Sequence, residues 1–352
     1  VKARAGGDDV AEAIGFVVVG LRRGYQAARE VVATAGARLV AVADLDVSRA
    51  REVARELGCE WTAEYRDLLR RDDVQVVGAW TPSGAHAMVA RDALSAGKHA
   101  VSTKPMETTV AKCDAMIEAA RRRNLILAID FGNRYRPEVR QVKRAVEAGE
   151  FGTMLFGDAH MWEYRSQRYY DSRGGWRGTW EMDGGGSIMN QGVHSVDALL
   201  WLMGEVERIE HARFAVRTHD IETEDTTQAV LTFRNGAWGT ILMTTSHYPA
   251  LPGMIHVAGD RGSAVIARGR LESWKFRTDE PYEQQEFGTP PEREVVVPPE
   301  EDAPANWCAD MVSALTKGTK MACDGLEGRR SVLVNQAIYE CARSGKPVKV
   351  NE

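Results

Sequence analysis

The 352-residue sequence predicts an α/β protein that opens on a doubly wound parallel sheet. Short, continuous apolar runs recur through the first 130 residues, each followed by a stretch with helical spacing. The runs end on glycine or polar residues, as strands covered on both faces do. Beyond Val206 the pattern changes to alternation of apolar and polar residues, the mark of strands with one covered face. The length is too great for one ordinary core, so two domains are expected. A formal net charge of −5 argues against nucleic acid or an anionic membrane as the main partner, and no apolar run is long enough to span a bilayer. Five scattered cysteines without a CxxC pair fit reduced thiols and a cytoplasmic setting. Residues 1–13 lack the apolar middle of a secretory signal and are expected to be a disordered leader.

In chain order, Ile14–Val19 (IGFVVV) reads as the first buried strand, ending at Gly20. Leu21, Arg22, Arg23 and Gly24 form a turn into a helix that runs past Val32, and Leu39–Ala43 is a second strand closed by Asp44. Strand, glycine turn, helix, strand and acid make up the layout of a dinucleotide-binding unit. Gly20 and Gly24 would admit a pyrophosphate to the helix N-terminus, and Asp44 would take the ribose hydroxyls. Arg22 stands where the second fingerprint glycine is expected, so its side chain would either crowd a pyrophosphate or pair with it. Asp44 favours NAD, because a carboxylate repels a 2′-phosphate, while Arg49 and Arg51 leave NADP open. The plain alternative for Asp44 is a helix cap.

The alternation continues with strands over 74–80, 99–102 and 125–130 and helices over 86–96 and from Thr108 or Thr109 to Arg123. Thr81, Pro82 and His86 follow the strand that ends at Trp80, and Lys104 follows the strand that ends at Ser102. These positions lie at the carboxyl edge, where ligands of doubly wound sheets gather. Lys104 precedes Pro105, which holds its backbone extended and raises the chance of a cis bond. A cation fixed there can polarise a substrate oxygen; the plain alternative is a solvated surface lysine.

In the second half, Pro137–Ala148 reads as a helix and Thr153–Trp162 as a strand. Residues 163–183 break regular pattern and concentrate aromatics and arginines, among them Tyr164, Arg165, Arg168, Tyr169, Tyr170, Trp176, Arg177 and Trp180. Aromatic faces stack on sugars, and arginines bind hydroxyls, carboxylates or phosphates. This segment is expected to bind a carbohydrate or an anionic sugar derivative, with Tyr164, Arg168 and Trp176 as contacts; burial in a subunit interface is the alternative. His160 and Glu163 lack a third ligand at sensible spacing, and no metal is expected.

Next comes GGGSIMNQGVHSVDALLWL (184–202), with Asn190 and His194 at the mouth of a helix that Gly204 should stop in a left-handed cap. A histidine at a helix N-terminus is disfavoured as imidazolium and can act as a base. A capping or core histidine is the plainer reading. Strands over 206–276, with a hairpin at Asn235-Gly236, an irregular segment over 279–304 and helices near 305–317 and 326–343 complete the chain.

VVVG, AVAD, TPSGAH (81–86), AGKHAVSTKP (96–105), NRYRP (133–137), GGGSIMNQGVHSVD (184–197) and the run 325–348 follow one another in this order. Together they resemble the glucose–fructose oxidoreductase / inositol dehydrogenase (Gfo/Idh/MocA) family over nearly the whole chain. The resemblance implies a Rossmann domain over 14–134, then an α/β domain over 135–352 with a large, mostly antiparallel open sheet. It also implies hydride transfer between NAD(P) and a secondary hydroxyl or ketone carbon of a sugar, cyclitol or derivative. Lys104 matches the lysine of the family's Glu-Lys-Pro motif, and Asn190 and His194 match its aspartate and histidine. Asp197, which closes the last motif, is expected to contact substrate. Thr103 replaces the usual Glu and Asn190 the common Asp, so His194 would be the base, with Lys104 and Asn190 orienting the substrate oxygen. The open face is expected to form a dimer or tetramer. Two other functions stay open: an NAD-retaining glycosidase or lyase acting by transient oxidation, and a non-catalytic ligand-binding relative.

Overall fold

The structure, a computed structural model, describes residues 13–278, 291–298 and 300–351. The expected leader, apart from its last residue, and much of the expected irregular segment over 279–304 lie outside the described residues.

The first sheet is parallel and built from β1 (Ile14–Val19), β2 (Ala37–Ala43), β3 (Glu60–Thr62), β4 (Val76–Ala79), β5 (His99–Thr103) and β6 (Leu127–Asp130), in the order β3-β2-β1-β4-β5-β6. The order reverses at β1, and the crevice beyond the carboxyl ends of β1 and β4 is where a doubly wound sheet binds its ligand. Helices α1 (Gly24–Ala33), α2 (Val47–Leu57), α3 (His86–Ser95) and α4 (Val110–Arg123) cover the two faces. Asp46 caps α2 by accepting the Arg49 N–H at 3.1 Å, and Thr109 caps α4. No side chain caps α1, so its first turn keeps donors for a ligand.

After α5 (Pro137–Glu147) come β7 (Met154–Tyr164), α6 (Gln167–Asp171), a π-helical turn at Ser187–Gln191 and α7 (Val193–Met203). The second sheet then adds β8 (Val206–Ala215), β9 (Thr226–Phe233), β10 (Trp238–Thr244), β11 (Ser246–Gly259), β12 (Gly262–Ala267), β13 (Arg270–Arg277) and β14 (Glu292–Arg293). Helices α8 (Trp307–Lys317) and α9 (Gly325–Ser344) precede the last strand, β15 (Val348–Lys349). The strand order is β14-β13-β12-β11-β7-β10-β9-β8-β15, antiparallel throughout except where β7 lies parallel to β10. The fold class expected from the sequence is therefore the one observed.

Strand alternation decides what this sheet shows to each side. On β7, Ala159 and Met161 are buried against α7, while Phe156, Asp158, His160 and Trp162 occupy the other face. Trp238 on β10 stands edge-on to Phe156 and is 64% exposed. The turn at Asn235-Gly236 joins β9 to β10 as expected, but Gly204 corrects the expected cap. Its φ of 91° with ψ of −155° lies outside the left-handed helical region, because the chain extends at once into β8.

Helix α8 lies within 135–352, the stretch expected to form the second domain, yet packs on the first sheet. Trp307 is buried against Phe16 and Trp80, with ring centroids 6.0 and 4.9 Å apart, and its indole N–H donates to Glu30 at 2.7 Å. A late helix thus closes one face of the first sheet.

Candidate active site

Two structural units meet at the carboxyl edge of the first sheet. The first is the turn after β1. Gly20 has φ of +87°, and a Cβ there would sit 2.6 Å from the Trp80 carbonyl oxygen, so the turn requires glycine. Asp44 ties this turn to β2: its Oδ2 accepts the Leu21 N–H at 2.6 Å and its Oδ1 the Asp46 N–H at 2.8 Å. A carboxylate has acceptor sites beyond these two, so ribose hydroxyls can still be received. Gly24 opens α1 close against Trp80, and Arg22 and Arg23 are both exposed. Thr81, just past β4, carries a buried hydroxyl without a hydrogen-bond partner among the described residues, and Pro82 continues the edge in extended conformation. An orphan hydroxyl, a glycine cradle and an uncapped helix end fit a dinucleotide.

His86 corrects an expectation. It is 1% exposed, with Nδ1 2.9 Å from the Pro105 carbonyl oxygen and Nε2 3.0 Å from that of Thr81. Burial holds its pKa down, so the neutral ring donates to one carbonyl at a time. Both ring nitrogens are thus taken up in tying the loop after β4 to the loop after β5.

The second unit is the glycine segment before α7. Gly186 lies so close to Glu224 that a Cβ would meet its carbonyl oxygen at 1.8 Å. The buried Glu224 carboxylate accepts the Gly186 N–H at 2.7 Å, the Ile188 N–H at 2.9 Å and the Ser187 hydroxyl at 3.1 Å. This clamp fixes the π-helical turn that carries Asn190.

Lys104 reaches into that turn. After a cis Lys104–Pro105 bond, its ammonium donates to the Asn190 carbonyl oxygen at 2.6 Å, with Asn190 Oδ1 at 3.5 Å. Burial, helped by the Arg23 cation, brings the Lys104 pKa down to about 7 against the opposing pull of Asp183, Glu163 and Asp130. The Asn190 amide donates to the Asp183 carboxylate, whose other oxygen takes the Gly178 N–H at 2.9 Å. Asp183 is 1% exposed, and burial lifts its pKa to about 7 against the pull of Gly178, Asn190, Lys104 and Arg177.

His194, in the first turn of α7, completes the group. Its carbonyl accepts from Asn133 at 3.0 Å and its ring stands edge-on to Phe131, but neither ring nitrogen has a hydrogen-bond partner among the described residues. Burial, then the Lys104 and Arg23 cations, push its pKa well below the ordinary value. The ring is neutral at pH 7, with a nitrogen free to take a proton.

Among the expected substrate contacts, Asp197 is displaced. Both its oxygens bind Arg134, at 2.7 and 2.9 Å, and both side chains are 1% exposed. One helical turn beyond His194, it faces the core and anchors α7. Tyr164 is also turned away: it follows the parity of His160 and Trp162 onto the open face and packs edge-on to Tyr248. Its neighbour Glu163 takes the covered side, pairs with Arg165 at 2.5 Å and acts on Lys104. Arg168 is exposed on α6, and Trp176 is half-buried against Arg177. Among the described residues no cluster of metal ligands occurs; His160 instead approaches Thr240.

Sequence reasoning missed Asp183 and Glu224. Asp183 had one visible signal, its place just before three glycines; Glu224 acts across 38 positions and had none.

Comparison with known proteins places this site. The family model described as "Oxidoreductase family, NAD-binding Rossmann fold" matches residues 14–131, and that described as "GFO/IDH/MocA C-terminal domain" matches residues 139–265. The chain belongs to the Gfo/Idh/MocA oxidoreductase family. Its NAD-binding Rossmann half and its second sheet make it an NAD-dependent oxidoreductase. Among solved Gfo/Idh/MocA relatives, the WlbA dehydrogenase of Bordetella pertussis, in complex with NADH and UDP-GlcNAcA, is 31% identical. It matches with a TM-score of 0.84 over 97% of this chain and 99% of its own. An inositol 2-dehydrogenase of Rubrobacter xylanophilus is 27% identical over 98% of this chain and 94% of its own length. The scyllo-inositol 2-dehydrogenase (NAD(+)) of Bacillus subtilis is 28% identical over 71% of this chain and 72% of its own. Among the described residues, no helix of this Gfo/Idh/MocA chain is long and apolar enough to cross a membrane.

Proposed function

We propose that the protein oxidises, with NAD, a secondary ring hydroxyl of a sugar, cyclitol or sugar derivative, or reduces the corresponding ketone. One observation carries the reading: at the sheet's carboxyl edge, a neutral His194 with unengaged ring nitrogens shares a site with the buried ammonium of Lys104. Bound NAD supplies the hydride acceptor. The turn from Gly20 to Gly24 and the first turn of α1 would hold the pyrophosphate, with Arg22 and Arg23 beside it, and Asp44 the ribose. Lys104 donates a hydrogen bond to the substrate oxygen and stabilises the negative charge that grows on it. His194 accepts the hydroxyl proton on a free ring nitrogen as the carbon–hydrogen bond breaks, and returns it in the ketone direction. Asn190, locked between Lys104 and Asp183, keeps the ammonium aimed. The named ligands and activities of the WlbA and inositol relatives support this substrate class.

We also assign the open face of the second sheet, with Phe156 and Trp238 exposed on it, to self-association in dimers or tetramers. The activity is tested by loading the protein with NAD and following reduced nicotinamide across inositols, hexoses, an anhydrosugar and UDP-GlcNAcA. Turnover with NADH accumulation is the expected outcome. Turnover without net NADH would move the reaction to transient oxidation, and absence of nucleotide binding would refute the reading.

A further inference from the structure

Arg177 is 9% exposed, and among the described residues its buried Nε and Nη1 find no hydrogen-bond acceptor. Its Cζ lies 4.7 Å from the ring centroid of Tyr169 and 4.5 Å from that of Trp176. Asp183, the carboxylate that acts on it, gives its oxygens to the Gly178 N–H and the Asn190 amide and makes no hydrogen bond to Arg177 among the described residues. A desolvated guanidinium with idle donors is costly, and an arriving acceptor removes that cost. The third nitrogen, Nη2, is not buried and has no acceptor among the described residues, so the guanidinium has one open end.

One of the rings packed on Arg177 leads toward the active site. The Tyr169 hydroxyl accepts from Gln191 Nε2 at 2.5 Å, and the Gln191 carbonyl accepts from Arg165 at 3.3 Å. Gln191 adjoins Asn190, on which Lys104 is fixed. Arg177 is therefore linked to Asn190 and Lys104 through Tyr169 and Gln191, on the side from which a ring substituent of the substrate would extend.

We infer that Arg177 is the receptor for a carboxylate carried by the substrate, and that the protein acts on a sugar acid rather than a neutral sugar. With aromatic faces packed on the guanidinium, approach is left along its edge. A flat carboxylate meets that edge through Nη2 and Nη1 once the Tyr169 and Trp176 side chains shift, whereas the tetrahedral oxygens of a phosphate would run into the rings. This inference rests on the reading of the site as a sugar dehydrogenase.

The test uses the NAD-loaded full chain and matched pairs that differ in one group: methyl glucuronides with methyl glucosides, methyl galacturonides with methyl galactosides, and hexose phosphates with hexoses. Affinity is read by calorimetry and turnover by NADH formation. At least one acid should exceed its neutral partner about 100-fold in affinity or kcat/KM. Arg177→Gln should erase that preference, and Arg177→Lys should restore part of it. Equal binding within every carboxylate pair, a preference for phosphates, or an equal loss on both members in Arg177→Gln would overturn the assignment. The wild-type comparison stands even if a variant fails to fold. Acids bound through Arg177 without any NADH would refute the dehydrogenase reading alone; turnover that favours neutral sugars would refute the sugar-acid assignment alone.

Discussion

The two rims of the active site are built on different principles. The nucleotide rim is made of backbone: a glycine turn with φ of +87° at Gly20, an uncapped helix end and one acid, all within 31 residues of chain from Ile14 to Asp44. The catalytic rim is made of buried polar side chains drawn from far apart. Lys104 and Asn190 are 86 positions apart, Glu224 clamps Gly186 across 38, and Arg134 holds Asp197 across 63. Backbone sites tolerate exposed side chains such as Arg22 around them. Buried polar sites depend on every partner, because each unpaired group bears its full desolvation cost.

The contrast can be broken at its sharpest point by His194→Ala. Turnover should fall by roughly 10²–10⁴, the usual contribution of a general base, while NAD affinity measured by calorimetry stays near wild type. Equal losses in both would mean that the two rims are one unit. Asp197→Asn should be next, costing about 3–5 kcal/mol in denaturant unfolding because Arg134 keeps its charge in the core with the partly exposed Glu327 as its remaining carboxylate.

Asp44→Ala acts on the other rim and should be milder, weakening NAD by about tenfold and NADP less; equal effects on the two cofactors would remove the case for NAD. The smallest effect is on pH. Oxidation should have no acid limb at the ordinary histidine pKa, since His194 is already neutral there, and should decline as pH rises past about 7 and Lys104 loses its charge. Asp183→Asn deletes an anion that favours the charged lysine, so this decline should move to lower pH. A limb that stays in place would free Lys104 from Asp183.

The nucleotide rim was legible in the sequence because its signals are local. Apolar runs, turn glycines and a closing acid obey rules of neighbouring residues. The catalytic rim was half legible. Lys104, Asn190 and His194 stood out within motifs, yet their partners did not. Tyr164 was placed on the substrate and Glu163 set aside, an error of strand parity: which of two adjacent side chains faces the site follows from register, and register is set by distant pairing. His86 and Asp197 lie within motifs for a structural reason, one joining two loops and the other anchoring a helix, and type alone does not separate such residues from ligand contacts.

Trp307 carries one more consequence. It closes the core under β1 and β4 from a helix that begins after nearly nine-tenths of this sequence has been made. During synthesis the nucleotide rim therefore emerges well before the helix that floors it, with Phe16 and Trp80 uncovered in the interval. Cutting the protein after the first sheet, or grafting that sheet onto another substrate half, would leave the same hole. A transplant of cofactor binding has to carry α8 with it.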